Sequence, residues 1–69
     1  MKKYKNVAIS RIDDKYFKRG EVVSISAKSD YGFVVRGNVS VNVDDTDFIF
    51  IFNATDKEID KVVNSIMNE

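Results

Sequence analysis

The segment Phe48–Phe52 constrains the fold more than any other part of this sequence, because it is apolar at five successive positions. A strand with one solvated face alternates apolar and polar residues, whereas a continuously apolar strand is covered on both faces. One cover is then the inside of a sheet or barrel. The second cover must be another element of the same chain or a partner chain. The sequence therefore predicts a strand that is packed between two layers.

A C-terminal helix is the element best placed to provide the second cover. Thr55 and Glu58 have the spacing of a capping box, in which each side chain bonds the backbone N–H of the other residue. Apolar residues then recur at the three- and four-residue spacing of one helix face. An isolated helix shorter than about 12–15 residues is marginal in water, so this one must pack on the sheet. We predict a helix over 56–68, with an apolar face made of Ile59, Val62, Val63, Ile66 and Met67.

Four further segments have strand-like patterns. Val39–Val43 alternates valine with polar residues, and every second residue from Val23 through Ala27 is apolar. Such alternation is typical of a strand with one buried face. The predicted strands cover residues 5–12, 21–28, 32–36, 39–43 and 47–53 of a single domain, 1–69.

The predicted fold class is mainly β (α+β). Five antiparallel strands in a chain of this length fit a small SH3-like barrel. They equally fit a curled antiparallel sheet with one C-terminal amphipathic helix laid on a face. The hydrophobic pattern does not choose between these two architectures.

The composition excludes several classes of function. The chain has no His and no Cys, so imidazole and thiol catalysis, zinc ligation by these residues and disulfides are all ruled out. The three glycines are too far apart to form a phosphate-binding loop. The acidic loop with Asp44, Asp45 and Asp47 lacks the ligand spacing of an EF-hand. We therefore expect no enzyme, no catalytic residue, no metal, no cofactor and no small-molecule substrate.

The distribution of apolar residues also bears on location. No apolar run approaches the roughly 20 residues of a membrane span. Residues 1–5 are basic, but the apolar core of a signal peptide does not follow them. We expect a cytoplasmic protein without membrane association. The Lys-, Asn-, Asp- and Ile-rich composition without proline is typical of a bacterium or its phage.

The connection Asp13–Gly20 is the longest between predicted strands, and binding residues concentrate on such loops. It holds Tyr16, Phe17, Lys18 and Arg19. Exposed aromatic residues beside arginine are typical of binding hot spots, although both aromatic residues could instead close the end of the core. This loop and the two-sided apolar strand favour protein–protein interaction or self-association. We expect a homodimer, and not a monomer, at tens of micromolar.

The alternative function is binding of single-stranded nucleic acid. Aromatic and basic residues are interleaved around Tyr16 and again between Lys28 and Arg36, a pattern that suits base stacking beside a cationic groove. Residues 1–37 carry nine Lys/Arg against four Asp/Glu, whereas residues 38–69 carry two against seven. This asymmetry marks either a basic binding face or mutual attraction of the two halves.

A local resemblance points the same way. Residues Gly20–Val34 resemble the opening of cold-shock and S1-type domains, whose aromatic-Gly-aromatic motif is matched by Tyr31–Val34. The Lys-Gly that precedes this motif in those families is Ser29–Asp30 here, and the second aromatic motif has no clear equivalent. A nucleic-acid binder should expose Tyr16 or Tyr31 on one face beside its basic residues, which are Lys15, Lys18, Arg19, Lys28 and Arg36. Whether the partner is a protein or a nucleic acid, the candidate partner-binding residues are Tyr16, Phe17, Lys18, Arg19, Tyr31 and Arg36.

Overall fold

A computed structural model describes residues 4–30, 32–36 and 40–69 of the chain. The described residues form five strands followed by one helix. The elements are β1 (Lys5–Ser10), β2 (Val22–Ser29), β3 (Gly32–Arg36), β4 (Ser40–Val43), β5 (Phe48–Ala54) and α1 (Asp56–Met67).

All five strands belong to one sheet, in the order β4-β3-β2-β1-β5, and each neighbouring pair is antiparallel. The first four strands form a meander, and β5 returns to pair with β1. Strands β4 and β5 are therefore the two edges of an open sheet. The predicted mainly β fold of five antiparallel strands with a C-terminal helix is confirmed. A closed barrel is not formed by the described residues, and nothing in the topology supports the SH3-like arrangement.

The sheet carries a hydrophobic core on each face. One cluster lies between the sheet and α1, and the other lies on the opposite face. We call the opposite face concave, because the sheet curls until side chains of β3 and β5 meet across it. The cluster under the helix contains Val7, Ile9, Ala54, Ile59 and Ile66. The concave cluster contains Ala8, Phe17, Val23, Val35 and Phe48.

Strand β5 contributes to both clusters, as its apolar run predicts. Ile49 and Ile51 pack against the cluster under α1. Phe48 is buried in the concave cluster, and Phe50 packs against it. The two covers of this strand are therefore the chain's own helix and the inside of its own curled sheet.

A bulge in β2 changes the face on which Ala27 lies. The register pairs Ile25 with Val35 but Ala27 with Val34, so β2 has one extra residue at this point. Such a residue interrupts the alternation and shifts the following side chain to the other face. Ala27 is exposed and does not join the concave face. The prediction that Val23, Ile25 and Ala27 share one face is wrong at Ala27.

Helix α1 begins with the predicted capping box. Thr55 Oγ1 accepts a hydrogen bond from the Glu58 N–H at 3.3 Å, and Glu58 Oε1 accepts one from the Thr55 N–H at 3.0 Å. The predicted apolar face is shorter than expected, because Met67 is 57% exposed and its Sδ lies beside the backbone of Gly20. Within the described residues, no helix has both the length and the apolarity that crossing a membrane requires.

We expect Thr55→Ala to lower the free energy of unfolding by about 1 kcal/mol, because it removes the acceptor for an N–H group that has no partner within the helix. Thr55→Ser keeps the oxygen and is the matched control, which should lie close to the wild type. Urea denaturation followed by circular dichroism measures both variants. Equal losses for the Ala and Ser variants would contradict a capping role.

The same box predicts a pH dependence. Hydrogen bonds from the backbone and side chain of Thr55 lower the pKa of the Glu58 carboxyl from its ordinary value of 4.5. A carboxyl with a depressed folded-state pKa contributes stability above its unfolded pKa and loses it as the pH falls through the folded value. The stability difference between wild type and Glu58→Ala should therefore be full at pH 7 and smaller at pH 3. Urea titrations at both pH values test this, and a pH-independent difference would argue against it.

Candidate functional site

The Asp13–Gly20 loop is held by its own hydrogen bonds and by the core. The Asp14 carboxylate accepts from the N–H groups of Tyr16 and Phe17, both at 2.8 Å. Phe17 is only 3% exposed, and its ring meets that of Phe48 edge to face at 5.1 Å. Its side chain therefore closes the concave cluster and is not part of the exposed surface.

Arg19 holds the loop against the end of α1. Its Nε and Nη2 donate to the Ile66 carbonyl at 3.2 and 2.9 Å, and Nη2 lies 3.3 Å from Glu69 Oε2. The last carbonyls of a helix lack partners within the helix, and the last turn of α1 contains no basic residue. Arg19 supplies that missing positive charge from a distant part of the chain, so its guanidinium is engaged in a structural role.

The other predicted site residues are dispersed. Tyr16 is 43% exposed, with Lys15 Nζ 4.9 Å from the centre of its ring, and Lys18 is exposed on the same loop. Arg36 is exposed across from Ser24. Tyr31 lies outside the described residues.

The sheet register separates two of the basic residues that a nucleic-acid face would need. Arg36 pairs with Ser24, which in turn pairs with Val7, so Arg36 lies on the face that carries α1. Lys28 pairs with Phe33, whose ring contacts Phe50 on the concave side. The two cations therefore lie on opposite faces of the sheet.

A group of aromatic side chains forms where the curled sheet brings distant strands together. The ring of Phe33 on β3 lies 4.7 Å from that of Phe50 and 5.5 Å from that of Phe52, centre to centre. Strands β3 and β5 are not neighbours in the sheet, since β2 and β1 lie between them. The curvature of the sheet thus creates this cluster. Phe52 is 51% exposed, which leaves much of the cluster open to solvent.

These rings line a cavity of about 370 Å³, which we call the aromatic groove. Asp44 and Asp45, both exposed, form its polar rim. Asp44 Oδ1 accepts from the Thr46 N–H at 3.0 Å, whereas the Asp45 side chain has no hydrogen-bond or ion-pair partner among the described residues. The lining residues are Gly32, Phe33, Asp44, Asp45, Phe50 and Phe52.

Two backbone features shape the groove. Gly32 has φ +151°, and a Cβ at this position would lie 2.1 Å from the Val43 carbonyl oxygen, so only glycine permits the close approach of the two strands. Asn53 has φ 54° at a bulge of β5, where its N–H bonds Asn6 Oδ1 at 2.9 Å. The bulge brings Ala54 into the cluster under α1, while the preceding Phe52 stays on the groove side.

The groove lies beside the open edges of the sheet. An edge strand presents N–H and C=O groups that no neighbouring strand satisfies. Both β4 and β5 are edge strands, and Phe50 and Phe52 of the groove belong to β5. The site therefore combines an apolar surface with main-chain hydrogen-bonding groups.

The sequence did not indicate the groove as a unit. From its pattern the sequence predicts Phe33 in the core and Phe48–Phe52 as a strand covered on both faces. It predicts Asp44 and Asp45 as residues of a turn. The usable signal was that an acidic turn directly precedes an aromatic strand. In the described part of the chain, no group of three or more acidic side chains is placed to hold a metal ion.

Comparison with known proteins adds no functional information. Protein-family models, curated protein sequences and solved structures all yield no significant match to this chain.

We expect Arg19→Ala to lower the free energy of unfolding by about 1 kcal/mol, since it leaves the Ile66 carbonyl without its charged donor. Arg19→Lys retains the charge but cannot donate two hydrogen bonds to the same carbonyl from one planar group. We therefore expect it to recover only part of the lost stability. Urea denaturation gives the stabilities, and amide hydrogen exchange in the last turn of α1 localises the effect. An unchanged free energy of unfolding in Arg19→Ala would show that the contact does not stabilise the fold.

Gly32→Ala should destabilise the protein by at least about 2 kcal/mol, because the added Cβ collides with backbone that cannot move aside freely. Gly20→Ala is the comparison, since Gly20 also has a positive φ, +85°, but its nearest neighbour is the flexible Sδ of Met67. We expect Gly20→Ala to cost less. Thermal denaturation measures both, and a Gly32→Ala protein as stable as wild type would contradict the close approach described above.

Proposed function

We propose that this chain is a small non-enzymatic protein-binding module, and that an extended segment of its partner docks in the aromatic groove. The observation that carries the proposal is the half-exposed Phe52, which lies with Phe33 and Phe50 beside an open sheet edge. A cytoplasmic location and a bacterial or phage origin belong to the same proposal and rest on composition alone.

Two recognised modes of binding support this proposal. An extended peptide can add a strand to an exposed sheet edge, where main-chain hydrogen bonds give affinity and side-chain pockets give specificity. Aromatic residues at the centre of an interface often carry most of the binding free energy. Strand β5 offers both, because no described strand pairs with its outer edge and its aromatic side chains line the groove.

Self-association is the second candidate, and the free edge of β5 is the observation that favours it. A second copy could pair along this edge and cover Phe52. Sedimentation equilibrium at tens of micromolar measures this directly. A mass above 7.9 kDa that returns to 7.9 kDa in Phe52→Ser would support a dimer through this edge, and a single 7.9 kDa species in the wild type would exclude it.

Single-stranded nucleic acid is less well supported as the ligand. The carboxylates of Asp44 and Asp45 border the aromatic groove and would repel phosphate, and Lys28 and Arg36 lie on opposite faces. We expect weak or no binding to a fluorescent oligonucleotide at physiological salt. Submicromolar binding that weakens steeply with salt would instead favour nucleic acid.

Selection of random peptides displayed on phage against the immobilised protein tests the groove. Phe52→Ser removes an exposed ring at the groove, and Tyr16→Ser removes one of similar exposure on the Asp13–Gly20 loop. We expect peptides enriched on the wild type to lose at least about tenfold in affinity on Phe52→Ser, because a central aromatic anchor contributes more than about 1.4 kcal/mol. Tyr16→Ser should bind them unchanged.

Circular dichroism and thermal denaturation test whether both variants are folded. We expect both to fold, because the two substituted side chains are half exposed. No enrichment on the wild type, or equal affinity of the enriched peptides for wild type and Phe52→Ser, would contradict the proposed function. Loss of affinity in Tyr16→Ser alone would move the site to the loop.

A further inference from the structure

The walls of the aromatic groove and its rim differ sharply in chemistry. Phe33, Phe50 and Phe52 present rings without a polar atom, and Asp44 and Asp45 present carboxylates. The face of an aromatic ring carries partial negative charge and attracts cations. Rings and carboxylates therefore favour the same kind of ligand group, one with an apolar stem and a positively charged head.

No described residue forms an ion pair with the carboxylates at the rim. From residue 37 to residue 56 the sequence contains no Lys or Arg. Neither Asp44 nor Asp45 forms an ion pair with a described residue. Lys28 lies across from Phe33 on the same face, but it is not within ion-pair distance of either carboxylate. The rim is thus available to a cation supplied from outside.

We infer that the partner segment carries a lysine or arginine whose alkyl stem lies on the rings of Phe33, Phe50 and Phe52 and whose charged head meets Asp44 and Asp45. This inference rests on the proposed function, since it assigns the chemistry of the occupant of the same groove. Long basic side chains commonly lay their stems on apolar surface while the head stays hydrated.

The open edges beside the groove favour a polypeptide over a free organic cation. A strand added along β5 places every second side chain on the face that carries Phe50 and Phe52. Its main chain bonds the edge while one basic side chain enters the groove. The complementary charges also speed the encounter, and the affinity should fall as salt rises.

Three synthetic peptides test the inference: Thr-Val-Lys-Val-Thr and its counterparts with norleucine or glutamate at the central position, all blocked at both ends. Nitrogen–proton NMR titration of the whole chain follows the amides of Gly32, Asp44, Asp45 and Phe52. We expect the lysine peptide to bind at least about fivefold more tightly than the norleucine peptide, and the glutamate peptide not to bind. Norleucine keeps the alkyl stem without the charge, so this ratio measures the contribution of the charged head.

Asp45→Asn should weaken binding of the lysine peptide about fivefold and leave the norleucine peptide unchanged. Asp60→Asn is the matched control, since Asp60 is an exposed residue of α1 outside the groove lining and its loss changes the net charge equally. We expect no change in this variant. Equal weakening in Asp45→Asn and Asp60→Asn would reduce the effect to net charge and overturn the inference.

Two outcomes separate this inference from the proposed function. The inference fails if the affinity of displayed peptides depends on Phe52 but the peptides carry no basic residue, or if the norleucine peptide binds as tightly as the lysine peptide. In either case the proposed protein-binding function is retained. If no displayed peptide depends on Phe52, the proposed function fails first. Shifts of the groove amides on concentrating the protein alone would identify a second copy as the occupant and would overturn the inference.

Discussion

Strand β5 packs on both of its faces, and both hydrophobic clusters of the sheet are built against it. Ile49 and Ile51 join the cluster beneath α1, while Phe48 lies in the concave cluster with Phe17. Without β5 the helix would lose Ile49, Ile51 and Ala54 from the cluster beneath it, and the concave core would lose the fully buried ring of Phe48. One strand therefore contributes side chains to both small cores of the sheet. A chain of this size without disulfides depends on such burial of apolar surface for its stability.

The same constraint leaves one part of the sheet uncovered. Among the described elements, α1 covers the face that carries Ile49 and Ile51, and the curled sheet covers the other face only at Phe48 and, in part, at Phe50. Towards the end of β5 the sheet does not close, so Phe52 stays half exposed beside Phe33. The aromatic groove is thus a direct consequence of building two cores from five strands and one helix.

Local rules predicted those parts of the fold that depend on neighbours in sequence. The capping box at Thr55 and the two-sided packing of β5 follow from residue spacing. The box is confirmed, and the packing is confirmed except at Phe52, which is 51% exposed. The role of Arg19 was out of reach, because it depends on a carbonyl 47 residues further along the chain. Ala27 was misplaced because a bulge leaves no mark in the apolar pattern. The groove was not predicted because its rings lie on strands that are not neighbours in the sheet. The curvature that brings these rings together cannot be derived from the spacing of residues in the sequence.

Among the described residues, no strand pairs with the outer edge of β5 beside the aromatic groove. Amide hydrogen exchange of Phe48–Phe52, measured on dilute protein, tests it directly, because successive amides of an antiparallel strand point alternately to its two sides. We expect slow exchange for the amides that face β1 and fast exchange for those that face outward. Uniformly slow exchange along β5 would show that the edge is already paired and would contradict an open edge beside the aromatic groove.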